Sequence, residues 1–317
     1  MPLENRYDNI YDIIIIGGGP NGIYCLNTIN KCFPDKTIGL IEKSTIVNNI
    51  KQYPNILWHN GLNALCFDSE NKNINRNPTT KEVINYYENY FINNNLKFIK
   101  NEVIDIINNE DIYKIVLKDN ELLSKYVIIS TGIYENIKYL NIKTDYPYIK
   151  YSFIDLETKN KNLVLVGGGN SAIDYVINLL PFNKITWIIR GKYCKNSAHL
   201  NKLREIMKKY NHNLFLYENT IIQEFYENNT LKLSNGININ NIDHCNILIG
   251  YSNISNLITK LGIENNGDII NIDNNYQTSR KNIFVFGSIS SQTNDIVYIH
   301  NGNPHRLKNI INFIKNN

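Results

Sequence analysis

A glycine motif that occurs twice, each time in the same local setting, narrows the possible folds more than anything else in the chain. Gly17-Gly-Gly19-Pro-Asn-Gly22 follows the apolar run Tyr11-Asp-Ile-Ile-Ile-Ile16 and opens a segment, Ile23 to Ile29, with helical character. An unbroken β-branched run reads as a parallel strand covered on both faces. In the pattern G-x-G-x-x-G, the first glycine makes the tight turn and the second lets a diphosphate approach the backbone. The third lets the helix pack close to the sheet. The helix N-terminus then offers unpaired N–H groups and a partial positive charge to the phosphates. Glu42 ends the next strand, Thr37 to Glu42, about 20 residues beyond Gly22, where a carboxylate accepts hydrogen bonds from a ribose diol.

The second copy is Gly167-Gly-Gly169-Asn-Ser-Ala172, after the strand Asn162 to Val166 and before a helix over Ser171 to Leu180. Alanine in the third place is a permitted variant. Here the following strand, Lys184 to Ile189, runs into Arg190 instead of an acid, with Lys192 and Lys195 close behind. A carboxylate there would repel a 2′-phosphate, whereas a guanidinium grips one in bidentate fashion. The residues therefore favour NADPH over NADH at this second site.

Two such units in series predict an α/β chain of two Rossmann-like domains. Between the motifs lie a predicted helix over 80–93, an antiparallel segment over 96–117 and the strand Tyr126 to Ser130, which stops at Thr131-Gly132. A strand over Asn282 to Phe286 is stopped by Gly287, and a last helix is expected from about Gly302 to Ile314. The Asn-rich stretches 70–77, 228–241 and 264–275 read as exposed turns, and Asn240 to Cys245 as a domain crossing.

At 317 residues, 43% hydrophobic and 20% charged, the chain has material for two cores. A formal charge of +4 is too small to argue for nucleic acid as a partner. No apolar run approaches a membrane span or a secretory leader, and the five cysteines form no Cys-x-x-Cys pair, so a cytoplasmic protein without membrane attachment is expected. His59, His199, His212 and His244 have no metal-ligand spacing, and no metal is expected.

The order of the two motifs, with Ser130-Thr-Gly132 between them, resembles the thioredoxin-reductase type of FAD- and NAD(P)-dependent pyridine nucleotide-disulfide oxidoreductases. Within that group the likeness is greatest to the bacillithiol-disulfide reductase family. It is carried by 46–54 (Ile-Val-Asn-Asn-Ile-Lys-Gln-Tyr-Pro), Val83-Ile-Asn-Tyr-Tyr87, Gly169-Asn-Ser-Ala-Ile-Asp174, Ile249-Gly-Tyr251, and Asn294-Asp295 through Asn301-Gly302 to His305. Gly287-Ser288 fits as well, since thioredoxin reductases carry Gly-Asp there and the bacillithiol type lacks that Asp. The resemblance implies three-layer ββα domains, with an NAD(P)H domain (137–245) inserted into an FAD domain (1–136 and 246–317). It implies FAD at Gly17, Gly19, Pro20, Asn21, Gly22, Glu42, Lys43, Thr131, Gly132, Gly287 and Gly302. It implies NADPH at Gly167, Gly169, Asn170, Ser171, Ala172 and Arg190, and a homodimer. By the same likeness the N-terminus of the last helix faces the flavin, His305 is a candidate proton donor, Asp174 is a candidate for orienting the nicotinamide carboxamide, and the segment with Tyr53, Pro54 and Trp58 passes the flavin.

One departure bears on the chemistry. The family's proposed redox cysteine lies in the first glycine loop, at the position held here by Asn21. Without a thiolate to attack a disulfide sulfur, there is no evident relay from flavin to a thiol substrate. Cys25 shares the helix face expected to pack on the sheet, and Cys194 has the most cationic neighbours, but at the adenosine end of the coenzyme. The expected function is an oxidoreductase that takes hydride from NADPH and passes electrons to a small-molecule acceptor, such as a disulfide or another sulfur compound. The alternatives are a flavin monooxygenase or oxidase, an electron donor to ferredoxin or flavodoxin, and a degenerate binding protein.

Overall fold

A computed structural model of the chain describes residues 10–58, 67, 77–194, 199–290 and 296–317, the side chains of 296–303 excepted. The chain divides into two compact units. One comprises Met1–Lys51, Asn60–Asn136 and Ser252–Asn317, and the other Gln52–His59 and Ile137–Tyr251.

The first unit opens with β1 (Ile10–Ile16), α1 (Pro20–Cys32) and β2 (Ile38–Glu42). Ile13, Ile14 and Ile15 are wholly buried because β1 is paired on both sides, in parallel with β2 and with β6 (Glu121–Ile129). Burying each such side chain contributes about 1.5–3 kcal/mol. After α2 (Asn48–Lys51) comes α3 (Thr80–Asn93), started by a capping box in which Thr79 and Glu82 satisfy each other's backbone N–H. The two-residue β3 (Ile99–Lys100) extends the sheet beside β2. Then β4 (Val103–Asn109) and β5 (Ile112–Leu117) run antiparallel into β6. The sheet order is β3-β2-β1-β6-β5-β4.

In the second unit β7 (Ile149–Lys150), β8 (Asn162–Val166), β9 (Lys184–Ile188), β10 (Leu214–Tyr217) and β14 (His244–Ile247) form a parallel sheet in the order β10-β9-β8-β14-β7. Helices α4 (Asn170–Leu179) and α5 (Leu200–Lys209) connect β8 to β9 and β9 to β10. A smaller antiparallel sheet is made by β11 (Ile222–Tyr226), β12 (Thr230–Leu233) and β13 (Asn238–Ile239). Strand β8 shows why three layers result. Its Leu163 and Leu165 pack with Ile173, Val176 and Leu203 of the helices, while Val164 and Val166 pack with Phe225, Leu231 and Leu233 of the small sheet. Alternate residues of one strand thus serve two cores.

The chain then returns to the first unit through α6 (Asn256–Lys260), the short pair β15 (Asn265–Asn266) and β16 (Ile269–Ile270), and β17 (Ile283–Val285), which pairs in parallel with β6. Helix α7 (Ile296–Asn316) ends the chain.

Two expectations need correction. Asn240 to Cys245 is not a domain crossing, because His244–Ile247 is paired with Leu163–Val166 inside the second sheet, and the unit continues to Tyr251. The last helix begins at Ile296, not near Gly302. Gly302 and Pro304 lie within it, so the Asn-Gly-Asn-Pro stretch that reads as punctuation is spanned by helix. An interior proline removes one backbone hydrogen bond and is tolerated when flanking turns hold.

Candidate functional site: two diphosphate cradles

In the first unit the turn from β1 into α1 is built against the end of β6. Gly17 has φ of +106°, and a Cβ there would lie 2.7 Å from the Ser130 carbonyl oxygen. The Ser130 hydroxyl donates to the Ile16 and Gly17 carbonyls at 3.0 and 3.1 Å, which locks the turn to the sheet. Gly22 approaches the Gly17 carbonyl so closely that a Cβ would fall 1.8 Å from its oxygen. By contrast, among the described residues nothing lies within 4 Å of where a Gly19 Cβ would be, and Gly19 is the N-cap of α1. The loop is therefore closed on its sheet side and open at the helix N-terminus.

Glu42 accepts from the Gly18 N–H at 2.8 Å and the Ser44 N–H at 2.9 Å, which pins the end of β2 to the loop while each carboxylate oxygen keeps a further lone pair. Lys43 pairs with Glu135. The Thr131 hydroxyl is buried without a hydrogen-bond partner among the described residues, next to Gly132 at the end of β6. The Asn21 side chain lies against the Gly287 backbone, which has φ of +85° and leaves no room for a Cβ. Gly132, in turn, lies near the Ser288 hydroxyl. The first glycine loop, the end of β6 and the end of β17 are thus brought together.

The second unit repeats the construction with different fastenings. Gly167 has φ of +128°, and a Cβ would lie 2.2 Å from the Leu248 carbonyl oxygen. The indole N–H of Trp187, a wholly buried residue of β9, donates to the Gly167 carbonyl at 2.7 Å. Cys194 N–H donates to the Gly168 carbonyl at 2.7 Å, so the segment after Arg190 folds back onto the loop. Gly169 is again the N-cap of its helix, and no described residue lies within 4 Å of where its Cβ would be. Ala172 is wholly buried. Arg190 and Lys192 are both exposed, and neither makes an ion pair or side-chain hydrogen bond with a described residue.

Around the first turns of α4 lies a cluster that sequence spacing did not reveal. Asp174, 7% exposed, accepts from or shares a proton with His199 at 2.9 Å between Oδ1 and Nδ1. Asp174 is therefore not a solvated helix charge. Tyr53 stands with Ser171, hydroxyl to hydroxyl at 3.3 Å, with its ring 4.2 Å from that of Phe153. Burial pushes its phenol up to about 12. Tyr53, Pro54, Ile56, Ser171, Asp174 and Tyr175 line a cavity of water size. The segment expected to pass the flavin thus packs within the second unit, because Tyr53 finds its partners on α4 and at Phe153.

The four described cysteines are all free. Cys25 and Cys245 are wholly buried, and burial pushes both thiols up. Cys32 ends α1, and Cys66 lies outside the described residues. So do His59, Lys195 and the Asn294-Asp295 pair, and Gly302 is described in its backbone alone. His305 is exposed on α7. No group of metal-ligating side chains occurs among the described residues.

Both loops fit the diphosphate of a dinucleotide: among the described residues each leaves a glycine-capped helix N-terminus with nothing within 4 Å of the glycine's missing Cβ, and the first adds a buried hydroxyl at Thr131 without a partner. Residues 14–287 match the family described as pyridine nucleotide-disulphide oxidoreductase. The chain belongs to that family. As a pyridine nucleotide-disulphide oxidoreductase it is an NAD(P)H-dependent flavoprotein whose cofactors are FAD and NADPH. It is similar to a thioredoxin reductase of Mycoplasma genitalium, 31% identical over 304 residues, covering 90% of this chain and 89% of that one. A ferredoxin–NADP reductase of Malacoplasma penetrans is 27% identical over 311 residues, covering 88% of each chain. Among solved structures, a bacillithiol disulfide reductase from Staphylococcus aureus superposes with a TM-score of 0.86 at 22% identity, covering 96% of this chain and 98% of that one.

Proposed function

We propose that this flavoprotein oxidises NADPH and delivers the electrons to a small-molecule acceptor, a disulfide or another sulfur compound, without a cysteine relay in its first glycine loop. The supporting observation is the pair of open cradles with unlike strand ends. Gly17–Gly22 with Glu42 and Thr131 would hold FAD, and Gly167–Ala172 with Arg190 would hold NADPH. Glu42 suits a ribose diol, and the exposed Arg190 and Lys192 suit a 2′-phosphate. Bound in these places, the two groups supply hydride transfer from nicotinamide to flavin.

The protein's own contribution is to orient and to exclude. The closed sheet sides of both loops would hold a diphosphate at each helix N-terminus. At the flavin loop, Asn21 puts a carboxamide against Gly287 where a relay thiol would stand in the bacillithiol type. Relatives named for thioredoxin, ferredoxin and bacillithiol disulfide share the scaffold, so the scaffold does not select the acceptor. A cytoplasmic homodimer is part of the proposal. The free described cysteines are in keeping with a reducing compartment, no described helix is long and apolar enough to cross a membrane, and the dimer is what the family likeness implies.

The test is anaerobic reduction of the purified yellow protein by NADPH, followed by separate exposure to low-molecular-weight disulfides, oxygen and ferredoxin. Reoxidation by a disulfide well above the buffer rate is expected. Reoxidation no faster than in buffer rejects a disulfide acceptor, and fast reoxidation by oxygen or ferredoxin alone assigns the electrons there. A colourless protein that cannot be reconstituted with FAD rejects the whole reading.

A further inference from the structure

The parallel strands β2, β1, β6 and β17 of the first unit lie side by side in that order and end at one edge of the sheet. Glu42 closes β2, and the glycine loop follows β1. A dinucleotide whose ribose diol meets Glu42 and whose diphosphate meets α1 therefore sends its other arm over the ends of β6 and β17. For FAD that arm carries the flavin. The chain at this far end is the turn from Gly287 to Ser290, packed against the cradle twice: Gly287 lies on Asn21, and the Ser288 hydroxyl lies near Gly132. A cation is fastened to this turn. The Ser290 hydroxyl, on a residue 1% exposed, donates to the Gly287 carbonyl at 2.8 Å, and Arg306 of α7 donates to the Ser290 hydroxyl oxygen at 3.3 Å. The guanidinium also lies over the Tyr276 ring, 5.6 Å from its centroid. Buried Leu307 and Ile310 seat this part of α7, and the Asn309 amide donates to the Asn274 carbonyl at 2.9 Å. Arg306 is half-buried, yet no carboxylate pairs with it among the described residues. The acid in the adjoining turn, Asp273, instead accepts from the Asn275 and Gln277 N–H groups, and His305 and Lys308 on α7 are exposed. A hydroxyl and a tyrosine face hold the guanidinium without neutralising it.

We infer that the uncompensated charge of Arg306 favours the reduced, anionic state of the bound flavin. Hydride transfer breaks the C4–H bond of the reduced nicotinamide and forms an N–H bond at flavin N5, so two electrons and one proton move. NADP+ is left behind, and a flavin that was neutral now carries one negative charge unless a second proton follows. A cation held nearby lowers the energy of that anion and leaves the neutral oxidised form almost untouched. For charges roughly 10 Å apart at an effective dielectric of about 20, the interaction amounts to roughly tenfold in such an equilibrium. Arg306 is thus a positioning residue: Ser290 ties its guanidinium to the Gly287 turn, and partial burial limits screening by salt. The inference rests on reading Gly17–Gly22 as the FAD seat, and the experiment separates the two.

The experiment is an anaerobic spectroelectrochemical titration of the FAD-loaded protein. Its two-electron midpoint potential reads the preference of the site for reduced over oxidised FAD. Arg306→Gln is expected to lower that preference about tenfold, which is a fall of about 30 mV. Arg306→Lys, which keeps the charge, is expected to retain most of it, and affinity for oxidised FAD should be nearly unchanged in both variants. A merely structural role would instead loosen oxidised FAD and lower the melting temperature without moving the potential. That result, an unchanged potential in Arg306→Gln, or an equal fall in Arg306→Lys, overturns the inference. Arg306→Met keeps the aliphatic stem on Tyr276 and decides the matter in the same way if Arg306→Gln fails to fold. A wild type that stays colourless after reconstitution with FAD rejects the FAD seat itself. A yellow wild type whose potential no Arg306 substitution moves leaves the seat standing and removes the role of the cation.

Discussion

Gly169 and Gly167 lie two residues apart in one loop, and the structure assigns them opposite consequences when alanine replaces them. Gly169 has φ of −81° and ψ of 179°, backbone that any residue adopts, and no atom of a described residue lies within 4 Å of a new Cβ. An alanine there restricts the unfolded chain, which stabilises by about 0.4–1 kcal/mol. It is a poorer N-cap than glycine, which costs about 0.5–1 kcal/mol. The two effects cancel to within about 1 kcal/mol, so the melting temperature should move by no more than about 4 °C. The new methyl, however, occupies the space through which a diphosphate reaches the N-terminus of α4. Losing one charge-assisted hydrogen bond there costs about 1.5–3 kcal/mol, so NADPH should bind roughly 10- to 150-fold more weakly. Gly167→Ala forces an alanine to φ of +128° and puts its Cβ 2.2 Å from the Leu248 carbonyl oxygen. That conformation alone costs about 1–3 kcal/mol, before the loop is pushed from β14. Thermal unfolding of the flavin-loaded proteins without coenzyme, and titration of each with NADP+, measure the two effects separately. A Gly169→Ala protein that binds NADP+ as tightly as the wild type, or that loses as much stability as Gly167→Ala, would refute the reasoning that the open face is a diphosphate seat.

Two further outcomes follow from burial and charge. Alkylation of the native protein should spare Cys25 and Cys245, whose thiols burial holds protonated at neutral pH, and Cys25→Ala should leave NADPH-dependent flavin reduction intact; rapid labelling of either before unfolding would contradict the packing. The Asp243 carboxyl is held below its ordinary value, first by the Asn162 N–H at 2.8 Å and then by Lys161. A carboxyl depressed in the folded state contributes stability above its unfolded pKa, and that contribution is lost as pH falls through the folded one. Asp243→Asn should therefore lower stability slightly at pH 7 and flatten its loss below about pH 4; an unaltered acid-unfolding profile would count against the link between β8 and the turn before β14.

How much was legible depended on whether a constraint was local. The run Ile13–Ile16, the glycines and the charges at Glu42 and Arg190 are neighbours in sequence, and their chemistry demands strand, turn and helix in that order. The α/β class and the pair of nucleotide loops therefore stood in the sequence, as did the three-layer form that the family likeness implied. The start of α7 is not legible locally, because a glycine costs about 1 kcal/mol and a proline about 3 kcal/mol inside a helix, and nothing in the local pattern announces that Gly302 and Pro304 are spanned all the same. The strand β14 was taken for a crossing because a four-residue strand has too little pattern of its own, and only its pairing with β8 defines it.

The sequence by itself determined that two strands would each run through a glycine turn into a helix, since strand, turn and helix are written within about 20 residues of one another. Only the tertiary structure decided what surrounds them. Ser130, just past the end of β6, locks the first loop from 113 residues away, Trp187 fastens the second loop from β9, and His199 reaches Asp174 from 25 residues away. Such contacts arise when separate elements are pressed together to bury apolar surface, and no periodicity records which polar groups are then left to find one another.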